Sequence, residues 1–237
     1  MNFEFSQEQI QLRESVQKML DSKEALKKAR EVLEGDNLFD EDLWNSLIEM
    51  GLTATTIPEE YEGLGLGHLE LCVVAEELGR SLAPTPFSSS VYIATEAILL
   101  LGSDTQKQEY LPKLARGEII GTLAHSESLT MPTPENIKTI SENEKITGTK
   151  IVVPDGNIAD FAITTAVSSG NVGLYLVDLK CSEVNIVEQV TIDPSRSHAS
   201  IEFNEASAQL LGSLEEGWSG LEKTLDKAAI LFAFEQL

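Results

Sequence analysis

The sequence predicts an α+β protein: an N-terminal all-α helical domain, a small antiparallel β-barrel or sandwich, then one further helix. Three observations carry this. Apolar residues recur at three- and four-residue spacing through the first half. Near Ile119 the period drops to two, and from Leu214 the helical period returns. The expected divisions are 1–118, 119–213 and 214–237, comfortable for 237 residues at roughly 100–200 per domain.

The elements follow in order. Ser6 and Gln9 make a capping-box pattern behind Phe5, and Leu12, Val16, Met19 and Leu20 continue it as a helix. Ala25, Leu26, Ala29, Val32 and Leu33 repeat the pattern up to Gly35. A third helix starts at Asp40, carries Leu43, Trp44, Leu47 and Ile48, and stops at Gly51. After the loop IPEEYEGLGLG come longer helices over Leu69–Leu78 and Phe87–Leu101. In the second, Phe87, Val91, Ala94, Ile98 and Leu101 form a buried stripe. Ser103 and Gln106 open a shorter helix that ends at Gly117. Glu76 and Glu77 in AEELGR pair with Arg80 at a helix end.

Strand-like runs then appear at Ile119–Leu123, Ile137–Ile140, Lys145–Val153, Phe161–Val167, Val172–Leu179, Val184–Val190 and Ala199–Phe203. SENE, PDGN, SSGN and DPS punctuate them as turns. In the last helix, Trp218, Leu221, Leu225, Ala228 and Phe232 share a face, and AAILFAF is apolar on nearly every side. Such a helix belongs in a core. The chain stops at Leu237, so either another chain covers this helix or the segment is a liability.

Charge excludes several function classes. The 17 Lys+Arg against 39 Asp+Glu give −22, which disfavours nucleic acid and an anionic membrane surface. Cys72 and Cys181 sit in apolar runs without a CxxC context, so buried spare thiols in a reducing cytoplasm are expected. His68, His125 and His198 are isolated in sequence and make no metal-ligand set. MNFEFSQEQI has neither the basic nor the apolar stretch of a signal peptide.

Four strings, in order, resemble the acyl-CoA dehydrogenase family. FSQEQIQLRESVQKML resembles its opening helix, and YEGLGLGHLELCVVAEELGRSLAPTP its Gly-rich loop and following helix. GSDTQKQEYLPKLARGEIIGTLAHSE is similar to the passage into the β-domain, and ITGTKIVVPDGNIADFAITTA to the strand pair over the flavin. The resemblance implies N-terminal helical and middle β-domains with most of a C-terminal four-helix bundle lacking. It also implies FAD as cofactor, an acyl-CoA thioester as substrate and an oligomer. In that chemistry a carboxylate removes the thioester's α-proton while hydride leaves for the flavin.

Carried over residue by residue, the match is partial. Leu123, Ala124, His125, Ser126 and Glu127 keep the start of the family's pyrimidine-side flavin segment, and Ser128-Leu129-Thr130 replaces its Gly-containing continuation. Ser126 is the expected donor to the flavin edge and to substrate. Val152, Val153 and Pro154 stand where the family has a Trp-Ile-Thr run, and proline brings neither hydroxyl nor N–H. Arg196, in the DPSR turn, meets either a CoA phosphate or a surface carboxylate. Some members take the base from a helix resembling residues 215–236, but the two key positions read Ala228-Ala229. No catalytic base is therefore assigned, and Glu235 is expected to be a solvated or interface carboxylate. Two readings follow: part of a dehydrogenase completed by another chain, or a non-catalytic partner subunit without its own flavin.

Overall fold

The structure is a computed structural model and describes residues 5–237; the first four residues of the leader reading lie outside it. Helix α1 (Gln7–Ser22) starts at its capping box. Ser6 Oγ accepts from the Gln9 N–H at 3.3 Å, and Gln9 Oε1 accepts from the Ser6 N–H at 2.9 Å. The Arg13 guanidinium lies 4.8 Å over the Phe5 ring. Next come α2 (Ala25–Glu34) and α3 (Glu41–Glu49), the latter capped by the Asp40 carboxylate, which accepts from the Leu43 N–H. Helix α4 (His68–Arg80) packs against α1. Arg80 pairs with Glu77 at 2.7 Å, whereas Glu76 reaches across to Arg13 at 2.5 Å.

The helix expected over Phe87–Leu101 is two elements, a π-helix at Ser88–Thr95 and α5 at Glu96–Leu101. Phe87, Val91, Ala94 and Ile98 are buried as the stripe requires, yet Ser88, Ser89, Ser90 and Tyr92 are buried as well. Buried except at the half-buried Ile93, this segment takes the wider i→i+5 turn, and the Thr95 hydroxyl donates across it to the Ser90 carbonyl at 2.8 Å. Helix α6 (Asp104–Ala115) opens on the Ser103–Gln106 capping box.

Seven strands follow: β1 (Gly121–Ala124), β2 (Ile140–Glu142), β3 (Lys145–Pro154), β4 (Phe161–Ser168), β5 (Asn171–Asp178), β6 (Val184–Glu188) and β7 (His198–Leu211). Pairings run β4–β5, β5–β7, β7–β3, β3–β2 and β2–β4, which closes a barrel. Strand β1 adds to β4, and β6 to β7. The barrel is antiparallel except where β4 meets β1 and β2, which run parallel to it and reach it through long connections. SENE and SSGN form hairpin turns with positive φ at Asn143, Glu144, Ser169 and Gly170. Strand β7 runs well past the expected Phe203. Its extra residue Glu205 (φ 55°) makes a bulge, and small inward residues Ala206 and Ala208 weaken the apolar signal.

Helix α7 (Gly217–Glu235) corrects the expectation of an uncovered helix. The chain itself covers one side: Ala228 and Leu231 are buried in a cluster with α4, and Phe232 meets Tyr92 edge-on at 5.6 Å. Lys227 also reaches the buried Glu96 carboxylate at 2.5 Å. Ala229, Ile230 and Ala233 stay exposed on the other side. Cys72 is buried, whereas Cys181 is only half-buried, in the turn after β5, where its thiol donates to the Asp178 carbonyl. No helix of the described residues is long and apolar enough to cross a membrane.

Candidate functional site

Strand β3 builds one side of the site. Ile146 and Lys150 point inward in step with the two-residue period. A register shift between Lys150 and Val153 then breaks the alternation. Val153 becomes the inward residue at 1% exposed, and Val152 stands outside at 38%. Val152 has φ +52°, a left-handed conformation that a β-branched residue rarely adopts and that costs on the order of 1–3 kcal/mol. Gln189 holds it there, its side-chain oxygen accepting from the Val152 N–H at 2.6 Å.

The end of β1 builds the other side. Leu123 and Ala124 lie on the strand, opposite Ile163 and Thr164 of β4, and His125, Ser126 and Glu127 continue it as a half-buried loop. The two segments are adjacent. The Ser126 carbonyl accepts from the Ile151 N–H at 2.8 Å, and the Thr122 hydroxyl donates to the Pro154 carbonyl at 2.6 Å. Glu127 accepts from the Lys138 and Thr139 N–H groups at 2.6 and 3.0 Å and from Lys150 at 2.6 Å. Among the described residues, neither the Ser126 hydroxyl nor its N–H has a protein partner.

Burial governs the charges here. It pulls Lys150 down to about 8 against the attraction of Glu127. Burial alone would raise the Glu127 carboxyl, but Lys150 and the Thr139 contacts outweigh it and hold the group below its ordinary range. His125 is lowered from 6.5 to about 4 by burial and then by the Lys150 charge. Its ring lies 5.5 Å from that of Trp218 at the start of α7. As pH falls below 6.5, the unfolded chain takes a proton on His125 that the folded chain refuses until about pH 4. The lowered carboxyl of Glu127 acts in the same direction, because its stabilisation is lost as pH falls through its folded value. Urea midpoints are therefore expected to decline from pH 6.5 to about 4, and His125→Gln to flatten that decline. An unchanged slope in the variant would contradict this.

The Arg196 side chain bonds neither segment, although the carbonyl of the next residue, Ser197, accepts from the Asp155 N–H just past Pro154 at 2.9 Å. Its guanidinium pairs with Glu235 at 2.7 Å and donates to the Ser88 hydroxyl, tying the β6–β7 loop to α7 and the π-helix. Glu235 is thus an ion-pair partner. Arg196 and Glu235 border a cavity of about 660 Å³, also lined by Leu26, Leu33, Leu82 and Phe232. Behind them the fully buried Asp155 accepts from the Ser89 hydroxyl at 2.5 Å, and burial raises its carboxyl.

Period and motif reasoning did not single out Lys150, Thr165 or Gln189 as site residues, and placed Trp218 only on the face of the last helix. The one available signal was a lysine in ITGTKIVVP at an inward phase. The residues present fit a flat, polar-edged ring: Ser126 keeps two unpartnered donors, and Val152 sets apolar surface on the neighbouring strand. Pro154 adds no donor.

A helical region, a closed barrel and a further helix define an α+β class in which the end of β1 with its following loop meets the end of β3 at a barrel edge. The family description "Acyl-CoA dehydrogenase, N-terminal domain" matches residues 6–118. The chain belongs to the acyl-CoA dehydrogenase family. Mitochondrial isovaleryl-CoA dehydrogenase of Pongo abelii is 34% identical over 169 residues, 68% of this chain and 40% of that protein. The ChsE4-ChsE5 complex from Mycobacterium tuberculosis matches with TM-score 0.87 at 24% identity, covering 100% of this chain and 64% of that one. A glutaryl-CoA dehydrogenase from Mycobacterium smegmatis, in complex with FADH2, gives TM-score 0.84 at 19% identity, covering 98% and 62%. These two structures show the shared fold. The chain spans less than two thirds of each of these relatives.

Proposed function

We propose that the chain is the flavin- and thioester-binding part of an FAD-dependent acyl-CoA dehydrogenase, acting in the cytoplasm in fatty acid metabolism. Residues 1–118, 119–213 and 214–237 are its helical domain, its β-domain and the first helix of a bundle. The observation that carries the reading is the meeting of Leu123–Glu127 with Val152–Pro154 at one barrel edge, with the Ser126 donors unpartnered. Ser126 offers its hydroxyl and N–H to the ring edge and to the substrate, and Val152 packs on the ring. Val153 and Pro154 support that strand from behind. When bound, the flavin supplies the acceptor for the hydride from the thioester's β-carbon. The thioester's α-proton goes to a carboxylate outside residues 5–237. Arg196 is held by Glu235 and Ser88, so its part is to tie the barrel to α7.

The exposed Ile230 side of α7 is where a completing chain would pack; a relative of this fold was solved as the two-component ChsE4-ChsE5 complex. The test is purification of the chain alone and with the product of the adjoining reading frame, followed by a visible absorption scan and a CoA-thioester oxidation assay. A yellow complex with turnover only in the pair is expected. A colourless pair, or a paired flavin held solely by the other chain, overturns the reading. A solitary preparation that turns over would place the base within this chain.

A further inference from the structure

We infer that Lys150 is the positioning residue of the cofactor-facing segment: its ammonium sets Ser126 by gripping the residues on both sides of it. The inference rests on the reading of Ser126 as a flavin contact.

The side chain of Lys150 is 0% exposed, and its ammonium has three donors to place. One goes to Glu127 Oε1 at 2.6 Å, one to Thr165 Oγ1 at 2.9 Å, and one points to the His125 carbonyl at 3.5 Å. His125 and Glu127 are the immediate neighbours of Ser126. The next residue of β3, Ile151, holds the Ser126 carbonyl through its N–H. All these restraints arise from two consecutive residues of one strand.

Stability alone does not account for a lysine here. Burying an ammonium is costly, and apolar replacements of buried ion pairs are often as stable. What an apolar side chain cannot do is aim hydrogen bonds at a carbonyl before Ser126 and a carboxylate after it. Lys150 also stands immediately before the bulge that turns Val152 outward. Lys150 therefore registers the two cofactor-facing segments against each other beside the Ile151–Ser126 and Thr122–Pro154 hydrogen bonds, and its ammonium reaches the residues on both sides of Ser126. Neither Lys150 nor Thr165 is among the residues proposed to touch the ring.

The test uses the full chain, with its completing chain if that is what holds the flavin. FAD is titrated by flavin fluorescence into the unaltered protein, Lys150→Met, Thr165→Val and Leu20→Ala. Leu20 is fully buried in α1 and serves as a control for lost stability. Lys150→Met is expected to weaken FAD binding about tenfold or more, the worth of a charge-assisted hydrogen bond. Amide exchange should rise with it at Ile151, whose N–H is held by the Ser126 carbonyl, and at Lys138 and Thr139, whose N–H groups are held by Glu127. Leu20→Ala should lower the melting temperature and leave FAD affinity unchanged. Unchanged affinity in Lys150→Met, or an equal loss in Leu20→Ala, overturns the inference and leaves the dinucleotide site standing. If Lys150→Met does not fold, Thr165→Val removes one acceptor while keeping the charge: weakened binding supports the inference and unaltered binding overturns it. An unaltered protein that binds no FAD overturns the dinucleotide reading, and this inference with it.

Discussion

Ala228→Glu is expected to push the C-terminal helix off α4 instead of creating a proton acceptor. Ala228 is one of the two positions where the family resemblance implied a base or its neighbouring arginine, yet it is 1% exposed, one turn before the buried Leu231. A carboxylate forced into that contact is desolvated without a partner, at a cost of several kcal/mol. Its bulk adds about 1–3 kcal/mol of overpacking. Together these approach the whole stability of an ordinary domain, about 5–15 kcal/mol. Chemical denaturation reads the loss directly, and near-normal stability with new thioester oxidation would show that the position faces the reaction centre. Ala229, next along the chain, is exposed, and a charged residue there should change stability by no more than about 0.5 kcal/mol.

Gly121→Val is expected to part the barrel from the helical region. A Cβ at this position would lie 2.5 Å from the Phe161 ring and 2.6 Å from the Ala94 methyl. Its N–H also meets the Ser90 hydroxyl at 3.4 Å, so β1 lies directly against the π-helix. Neither obstacle can swing away, since Phe161 packs on Tyr110 at 5.0 Å and Ala94 is part of a buried helix. The loss should reach about 3 kcal/mol. In a chain of this size each kcal/mol lowers the melting temperature by about 2–4 °C. Because β1 leads straight into Ser126, FAD affinity should fall as well. A variant that melts normally would mean that β1 tolerates a side chain here.

Local signals were legible and long-range ones were not. The caps at Ser6 and Ser103 and the turns at Asn143 and Ser169 were read correctly, because each depends on groups within four residues of one another. The π-helix was not, since its apolar stripe fits an α-helix equally well. The closure of β2 onto β4 and the second half of β7 depend on pairings between distant residues. Resemblance found Leu123–Glu127 and Val152–Pro154 as separate strings, and only the fold makes them neighbours. The outward turn of Val152 was hidden because a bulge inverts the phase of every later residue on its strand. Lys150 was hidden for the opposite reason: a lysine is ordinarily assigned to solvent.

The π-helix at Ser88–Thr95 gives the lineage room to manoeuvre. A π turn holds a residue that an α turn does without. Losing one amino acid there is expected to let the coil tighten to α with little change in the path of α5. Homologues with single-residue gaps across this stretch should therefore superpose on both sides of the gap, differing only in which side chains reach the interior between the π-helix and α7.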